Sequence, residues 1–369
     1  MILRDLLSII EECAPKGIAW EKDNVGLQCG DPTSTVKNVL VALDPTTEVV
    51  AEAVRTNSNV VVTHHPLLFK PERTIDRTSP TGAMLYSLIS KSISLISVHT
   101  NLDFVDGGTS HALATTLGLE QCSFLAPSEA RLRKLVLFVP RDSAAAVADA
   151  LSAHGAGRIG LYERCSFRTE GIGTFQGGPG TNPRVGTSGA FERVPEVRLE
   201  MMIPEWNVEP AIKAARAIHP YEEMAYDAYA LENPVGGAGT CVIGSLRRPK
   251  SLASFLKTVK QQLGVPMLRS SGADRRRMIQ RVAVCGGSGS DLLKEAIRKG
   301  ADAFVTADVR YHTFHEARSK IVLIDAGHFE TEQPVITVLV NDLRSGALAR
   351  GEHLTVRPAR TVTNPIVYS

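Results

Sequence analysis

Residues 59–63, Asn-Val-Val-Val-Thr, form an apolar run that stops at His64-His65-Pro66. A short β-branched run bounded by polar residues reads as a buried strand. The same design recurs along the chain. Residues 37–44 read as a strand ending at Asp44, and 93–99 as a strand leading into Thr100-Asn101-Leu102-Asp103. Further on, 281–285 runs into Gly286-Gly287-Ser288-Gly289, 303–306 into Ala307-Asp308, and 321–324 into Asp325-Ala326-Gly327-His328. Helical patterns at 46–55 and 291–299 separate these strands. Such alternation predicts α/β sheets, whose ligands gather at the carboxyl ends of strands. Thr63 and Thr306 end strands at matching places in the two parts, which reads as a diverged internal duplication.

The stretch between follows a different pattern. Strands are predicted at 134–139, 164–174, 197–203 and 225–231, with helices at 143–154 and 209–218. A Gly/Pro-rich loop begins at Gln176. The order, β-α-β then β-α-β, is that of a ferredoxin-like module. The expected architecture is therefore two related α/β halves, residues 1–130 and 246–369, forming a metal-binding core. A ferredoxin-like (α+β) domain at 131–245 is inserted between them.

Composition narrows the function classes. Lys plus Arg number 41 against 39 acids, a net charge of +2, so charge gives no support for nucleic acid or an anionic membrane as main partner. No apolar run reaches the roughly 18 residues of a membrane helix. The start, Met1 to Glu12, mixes charges with apolar residues at helical spacing and reads as an amphipathic helix, not a signal peptide. A cytoplasmic protein is expected. The six cysteines carry no C-x-x-C pair and read as buried reduced thiols.

Metal chemistry is the strongest reading of the strand ends. His64 and His65 are joined by Asp103 beyond another strand, and by His328 and Glu332 at i and i+4. On a helix, i and i+4 share a face. Imidazoles with carboxylates suit Zn, Fe or Mn more than Ca or Mg. Three imidazoles and two acids exceed one closed structural zinc but suit two divalent metal ions with open positions. His99 and His312 are candidate proton carriers or orienting groups, and Asp308 is of the same kind. The glycines at 286–289 lack a phosphate-loop or dinucleotide fingerprint, so a tight turn is the default. His219, Glu222 and Glu223 read as a helix-end turn with solvated acids.

Several segments together resemble a known family. They are Asp23-Asn-Val-Gly-Leu-Gln-Cys-Gly30, the strand through Leu43-Asp44, and Thr63-His-His-Pro-Leu-Leu-Phe69. Ser97-Val-His-Thr-Asn-Leu-Asp103, Thr306-Ala-Asp-Val-Arg-Tyr-His312 and Asp325-Ala-Gly-His-Phe-Glu-Thr-Glu332 complete the set. They resemble the GTP cyclohydrolase 1 type 2 homologs, the Nif-three-like dinuclear metal-centre proteins. That resemblance implies the ligand set His64, His65, Asp103, His328 and Glu332. Ala307 stands where the family motif has glycine. His219-Pro-Tyr-Glu-Glu-Met-Ala-Tyr-Asp227 resembles the insert of the longer family members, which is similar to CutA and PII-like modules. The resemblance implies a homohexameric toroid with trimer contacts through the insert.

Two functional readings follow. One is a metal-dependent hydrolase, in which a metal-bridged hydroxide attacks a nucleotide-like small molecule. The family name implies GTP ring opening, although no residue here specifies guanine. The other is a non-catalytic metal-binding adaptor or regulatory ring whose insert binds an effector or partner.

Overall fold

Side-chain alternation along the buried strands explains the layering. In β2 (Asn38–Ala42), Val39 and Val41 enter one core while Leu40 and Ala42 enter another. Strands buried on both faces read as unbroken apolar runs, as parallel strands covered by helices must. The computed structural model describes residues 1–272 and 274–368. The chain divides into two compact units, Met1–Pro127 with Gly237–Ser369, and Ser128–Gly236.

The larger unit holds two sheets. The first also contains β1 (Gly26–Cys29), β3 (Val60–Thr63), β4 (Ser94–Ser97) and β15 (Thr355–Pro358), in the order β1-β4-β3-β2-β15. Strands β15, β2, β3 and β4 run parallel, with Ala42, Thr63 and Ser97 in register at their carboxyl ends. Helices α1 (Leu3–Cys13) and α12 (Val335–Ala349) cover one face. Helices α2 (Thr47–Arg55) and α3 (Pro80–Ser90) cover the other. Helix α2 starts where its predicted cap, Thr46, accepts a hydrogen bond from the Val49 amide.

The second sheet contains β5 (Leu119–Pro127), β10 (Gly239–Ser251), β11 (Arg269–Ser270), β12 (Met278–Ser288), β13 (Ala303–Ala307) and β14 (Val322–Asp325). Its order is β11-β14-β13-β12-β10-β5, with β12, β13 and β14 parallel. Helices α5 (Thr109–Thr116) and α8 (Leu252–Leu263) pack on one face. Helix α9 (Leu293–Arg298) packs on the other, preceded by a 3₁₀ turn over Ser290–Leu292 where one continuous helix was expected. Neither sheet is built from one half of the sequence. Strand β5 joins the sheet of the C-terminal strands, and β15 joins that of the N-terminal ones.

Unit Ser128–Gly236 runs β6 (Arg131–Val139), α6 (Ala144–Ser152), β7 (Phe167–Gln176), β8 (Phe191–Pro204), α7 (Val208–Ile218) and β9 (Tyr226–Pro234). Its antiparallel sheet has the order β7-β8-β6-β9. Both helices share its core, with Val147 and Leu151 from α6 and Ala211 and Ile212 from α7. Among the described residues, no helix is long and apolar enough to cross a membrane.

The cysteine reading needs correction. Cys241 and Cys285 are joined by a disulfide, with Cα atoms 4.6 Å apart. Antiparallel pairing of β10 with β12 sets Val242 against Val284, which brings the neighbouring cysteines face to face across 44 residues of sequence. Spacing alone carries no trace of that register.

Phe255 is fully buried among α8 and the second sheet. Phe255→Ala is expected to cost about 3–5 kcal/mol of stability in denaturant unfolding. Ile89→Ala, on the exposed side of α3, is expected to stay within about 0.5 kcal/mol of the parent.

Candidate metal centre

The parallel register brings the carboxyl end of β3 beside β2, and the pairing continues past it. The His64 amide bonds Ala42 O at 3.2 Å and the His65 amide bonds Leu43 O at 2.9 Å. Ser97 Oγ donates to His64 O at 3.0 Å, and Thr63 Oγ1 to His65 O at 2.7 Å. The backbone carrying both imidazoles is thus held from two neighbouring strands.

Each ring is then oriented through Nδ1. His64 Nδ1 lies 2.8 Å from Val98 O; a carbonyl only accepts, so Nδ1 carries the proton and Nε2 its lone pair. His65 Nδ1 meets Asp44 Oδ1 at 2.7 Å, and His328 Nδ1 meets Asp308 Oδ2 at 2.6 Å. His99 Nδ1 lies 2.9 Å from Asp23 Oδ2. Asp23 also accepts from the amide and hydroxyl of Thr100, which opens the short helix α4 (Thr100–Asp103) carrying Asp103.

The outward nitrogens converge on Glu332, at the end of α11 (His328–Glu332). Its Oε2 is 3.1 Å from His65 Nε2, and its Oε1 is 3.1 Å from His328 Nε2. His64 Nε2 lies 3.8 Å from Glu332 Oε1 and 3.6 Å from Asp103 Oδ1. His64 Nε2 and Asp103 Oδ1 are buried without a hydrogen-bond partner among the described residues. Unpaired buried polar atoms are costly and call for a missing partner. Two groups of side chains here could hold a metal ion: His64, His65 and His99, and His65, His328 and Glu332.

The electrostatics match this crowding. Burial pushes the His64 imidazolium down, against the attraction of Asp103 and Glu332. Burial raises the Asp103 carboxyl, against His64. At His65 burial is outweighed by the hydrogen bond to Asp44 and the facing carboxylate of Glu332, which lift it to about 10. The Glu332 hydrogen bond leads at His328, lifting it to about 9 against burial. Burial opposes ionisation of Glu332, but His328 and His65 hold its carboxyl far below the ordinary range. Burial likewise opposes Asp23, which His99 and Thr100 lower to about 2.

The glycines at 286–289 back onto the centre. A Cβ on Gly287, whose φ is +63°, would fall 2.2 Å from Glu332 Oε1. The amides of Gly286, Gly287 and Gly289 are taken by Ser110, Thr331 and Thr306, so these three are not free to cradle a phosphate. Ala307 lies within β13, and Asp308 takes the positive φ of 54°, so the turn does not require glycine at 307.

The structure brings His64, His65, Asp103, His328 and Glu332 together and sets His99 beside them, its ring centroid 5.3 Å from that of His64. It does not bring His312 there. That residue is exposed on α10 (Tyr311–Ala317), edge-on to Tyr311. His219 bonds Phe138 O and the Tyr221 amide, a local structural role. Asp23 and Asp44 received no role from the sequence. The available signal was Asp44's place at the end of a strand.

Comparison with known proteins follows the same residues. The family model described as Duf34/NIF3 (NGG1p interacting factor 3) matches residues 1–365. A Bacillus subtilis protein named GTP cyclohydrolase 1 type 2 homolog is 35% identical over 373 residues, spanning 99% of this chain and 98% of its own. A Mycobacterium tuberculosis protein of the same name is 37% identical over 369 residues, spanning 98% and 96%. Among solved structures, a Bacillus cereus protein related to NIF3 is similar at a TM-score of 0.82 and 37% identity, covering 100% of this chain and 99% of that one.

The raised histidines set a pH dependence. A pKa raised on folding contributes stability below the unfolded value, about 6.5 for His, and loses it as pH rises through the folded one. The metal-free protein is expected to melt at lower temperature as pH rises from 7 toward 10, as His65 (about 10) and His328 (about 9) deprotonate. A melting temperature that climbs over that range would contradict the arrangement.

Proposed function

The chain belongs to the Duf34/NIF3 family, and from that premise we propose that it is a dinuclear metal-dependent hydrolase. The observation that supports this most is Glu332, whose two oxygens each lie 3.1 Å from a different imidazole while His64 and Asp103 present unpaired atoms beside it. The donor set fits the group. In this reading His64, His65, Asp103, His328 and Glu332 would hold two divalent ions, Zn, Fe or Mn. When bound, such ions supply Lewis acidity and lower the pKa of water toward neutrality.

The chain's own residues do the rest. Val98 O, Asp44 and Asp308 hold the Nδ1 side of the ligand imidazoles, which turns Nε2 toward the centre. We assign proton transfer to His99. Its Nδ1 is held by Asp23, which leaves Nε2 to take or give a proton. His312, exposed and apart, is a weaker candidate. The relatives' name points to GTP, and we take the substrate to be a nucleotide-like small molecule with an electrophilic carbon or phosphorus.

We further read Ser128–Gly236 as an inserted ferredoxin-like module, from its β-α-β-β-α-β order and its sheet order β7-β8-β6-β9. Association into a homohexameric ring with trimer contacts through that module, in the cytoplasm, is part of the same proposal. An adaptor role would leave the metal centre loaded but idle.

The test combines metal analysis with a turnover screen on GTP, other nucleotides and generic phosphoesters. Two metal equivalents per chain and metal-dependent turnover are expected, with Glu332→Ala reduced to background. Asp44→Ala is expected to weaken metal binding about 10–100-fold. Loaded protein with no turnover on any substrate would favour the adaptor. A chain that takes up no metal would overturn both readings.

A further inference from the structure

We propose that Thr363 and Asn364 form a clasp that fixes the spacing between the two ligand groups of the centre. The inference rests on the metal-centre reading above and extends it to residues outside the ligand set. Two residues adjacent in sequence bond to two carboxylates, one that orients His65 and one on the helix that carries His328 and Glu332. Thr363 Oγ1 donates to Asp44 Oδ2, the oxygen left free when Asp44 Oδ1 takes His65 Nδ1. Asn364 Nδ2 donates to Glu330 Oε1 at 3.0 Å. Glu330 lies on α11 between His328 and Glu332 and is itself buried.

The segment is set for this task from both ends. Upstream, the Ala359 amide bonds Val41 O at 2.7 Å, beyond the end of β15. The amides of Arg360 and Thr361 then bond the buried carboxylate of Glu52 at 2.8 and 2.9 Å. Downstream, the Ile366 amide bonds Asn364 Oδ1 at 3.1 Å. That bond closes an Asx turn, which holds the Asn364 amide group toward Glu330. The Tyr368 hydroxyl reaches Gly327, where an added Cβ would meet it at 3.0 Å.

Helix α11 has particular need of such a restraint. It has five residues, no side-chain N-cap, and a preceding Gly327 at φ +85°. A single turn that short does not hold its own geometry. Its two ligands must nevertheless stay in fixed register with His65, which enters the site from a sequence position more than 260 residues earlier. Small displacements of ligands cost affinity steeply, as changes in the groups that orient them show. Thr363 and Asn364 are therefore positioning residues, acting through Asp44 and Glu330.

The test loads full-length protein with Zn²⁺, counts the bound metal, and follows its release to excess chelator. Thr363→Val, Asn364→Ala and the double variant are compared with the parent and with Thr363→Ser. Melting of each metal-free protein is recorded alongside. The clasp predicts release about 10-fold faster or more for Thr363→Val and Asn364→Ala. It also predicts parent-like release for Thr363→Ser, which keeps the hydroxyl, and metal-free melting close to the parent. Unchanged release from the double variant overturns the clasp while leaving the metal centre standing. Faster release that tracks a fall in metal-free melting, and that Thr363→Ser does not rescue, also overturns it in favour of general destabilisation. A parent that binds no Zn²⁺ at the outset removes the metal centre itself, an outcome distinct from both.

Discussion

One buried carboxylate organises the candidate site. Glu332 is almost fully enclosed, yet it stays ionised because two imidazoles face its two oxygens. An isolated buried carboxylate would take up a proton, and one with cationic partners need not. In the metal-free chain the protons on His65 and His328 supply that compensation. They also occupy the Nε2 positions that a metal would take, so loading must displace them. Glu332 is thus compensated without a cation, while His64 Nε2 and Asp103 Oδ1 stay unpaired, and the same imidazoles become ligands when the protons leave.

The fold serves this balance by aligning strand ends. Parallel register in the first sheet sets Ala42, Thr63 and Ser97 level, so that Asp44, His64, His65 and His99 follow from three adjacent strands. In the second sheet Thr306 pairs with Asp325, so that Asp308 and His328 emerge from neighbouring strands. Side-chain anchors finish the arrangement. A backbone carbonyl and three carboxylates hold four Nδ1 atoms, each fixing which nitrogen is left to face the centre. The Gly287 backbone approaches Glu332 closely enough that no side chain fits there.

Much of this could be read from residue order, because strand ends are marked locally. The β-branched run before His64 and the i, i+4 spacing of His328 and Glu332 are signals contained in a few residues. Pairing partners are not. The disulfide depends on the antiparallel register of β10 with β12, and the exchange of β5 and β15 between sheets depends on long-range pairing. Neither leaves a local pattern. Asp44 and Asp23 escaped assignment for a related reason. A carboxylate that orients a histidine has no fixed sequence spacing from it, here 21 residues in one case and 76 in the other. His312 shows the converse: a histidine close in sequence to Asp308 turns outward, because its short helix presents it to solvent.

The central claim is that these side chains form one two-ion centre around Glu332. Anomalous diffraction from crystals of the metal-loaded protein, recorded at the absorption edge of the bound element, tests it most directly. The account predicts two peaks within coordination distance of Glu332, one of them also near His64 and Asp103. A single peak, or peaks remote from Glu332, would contradict it.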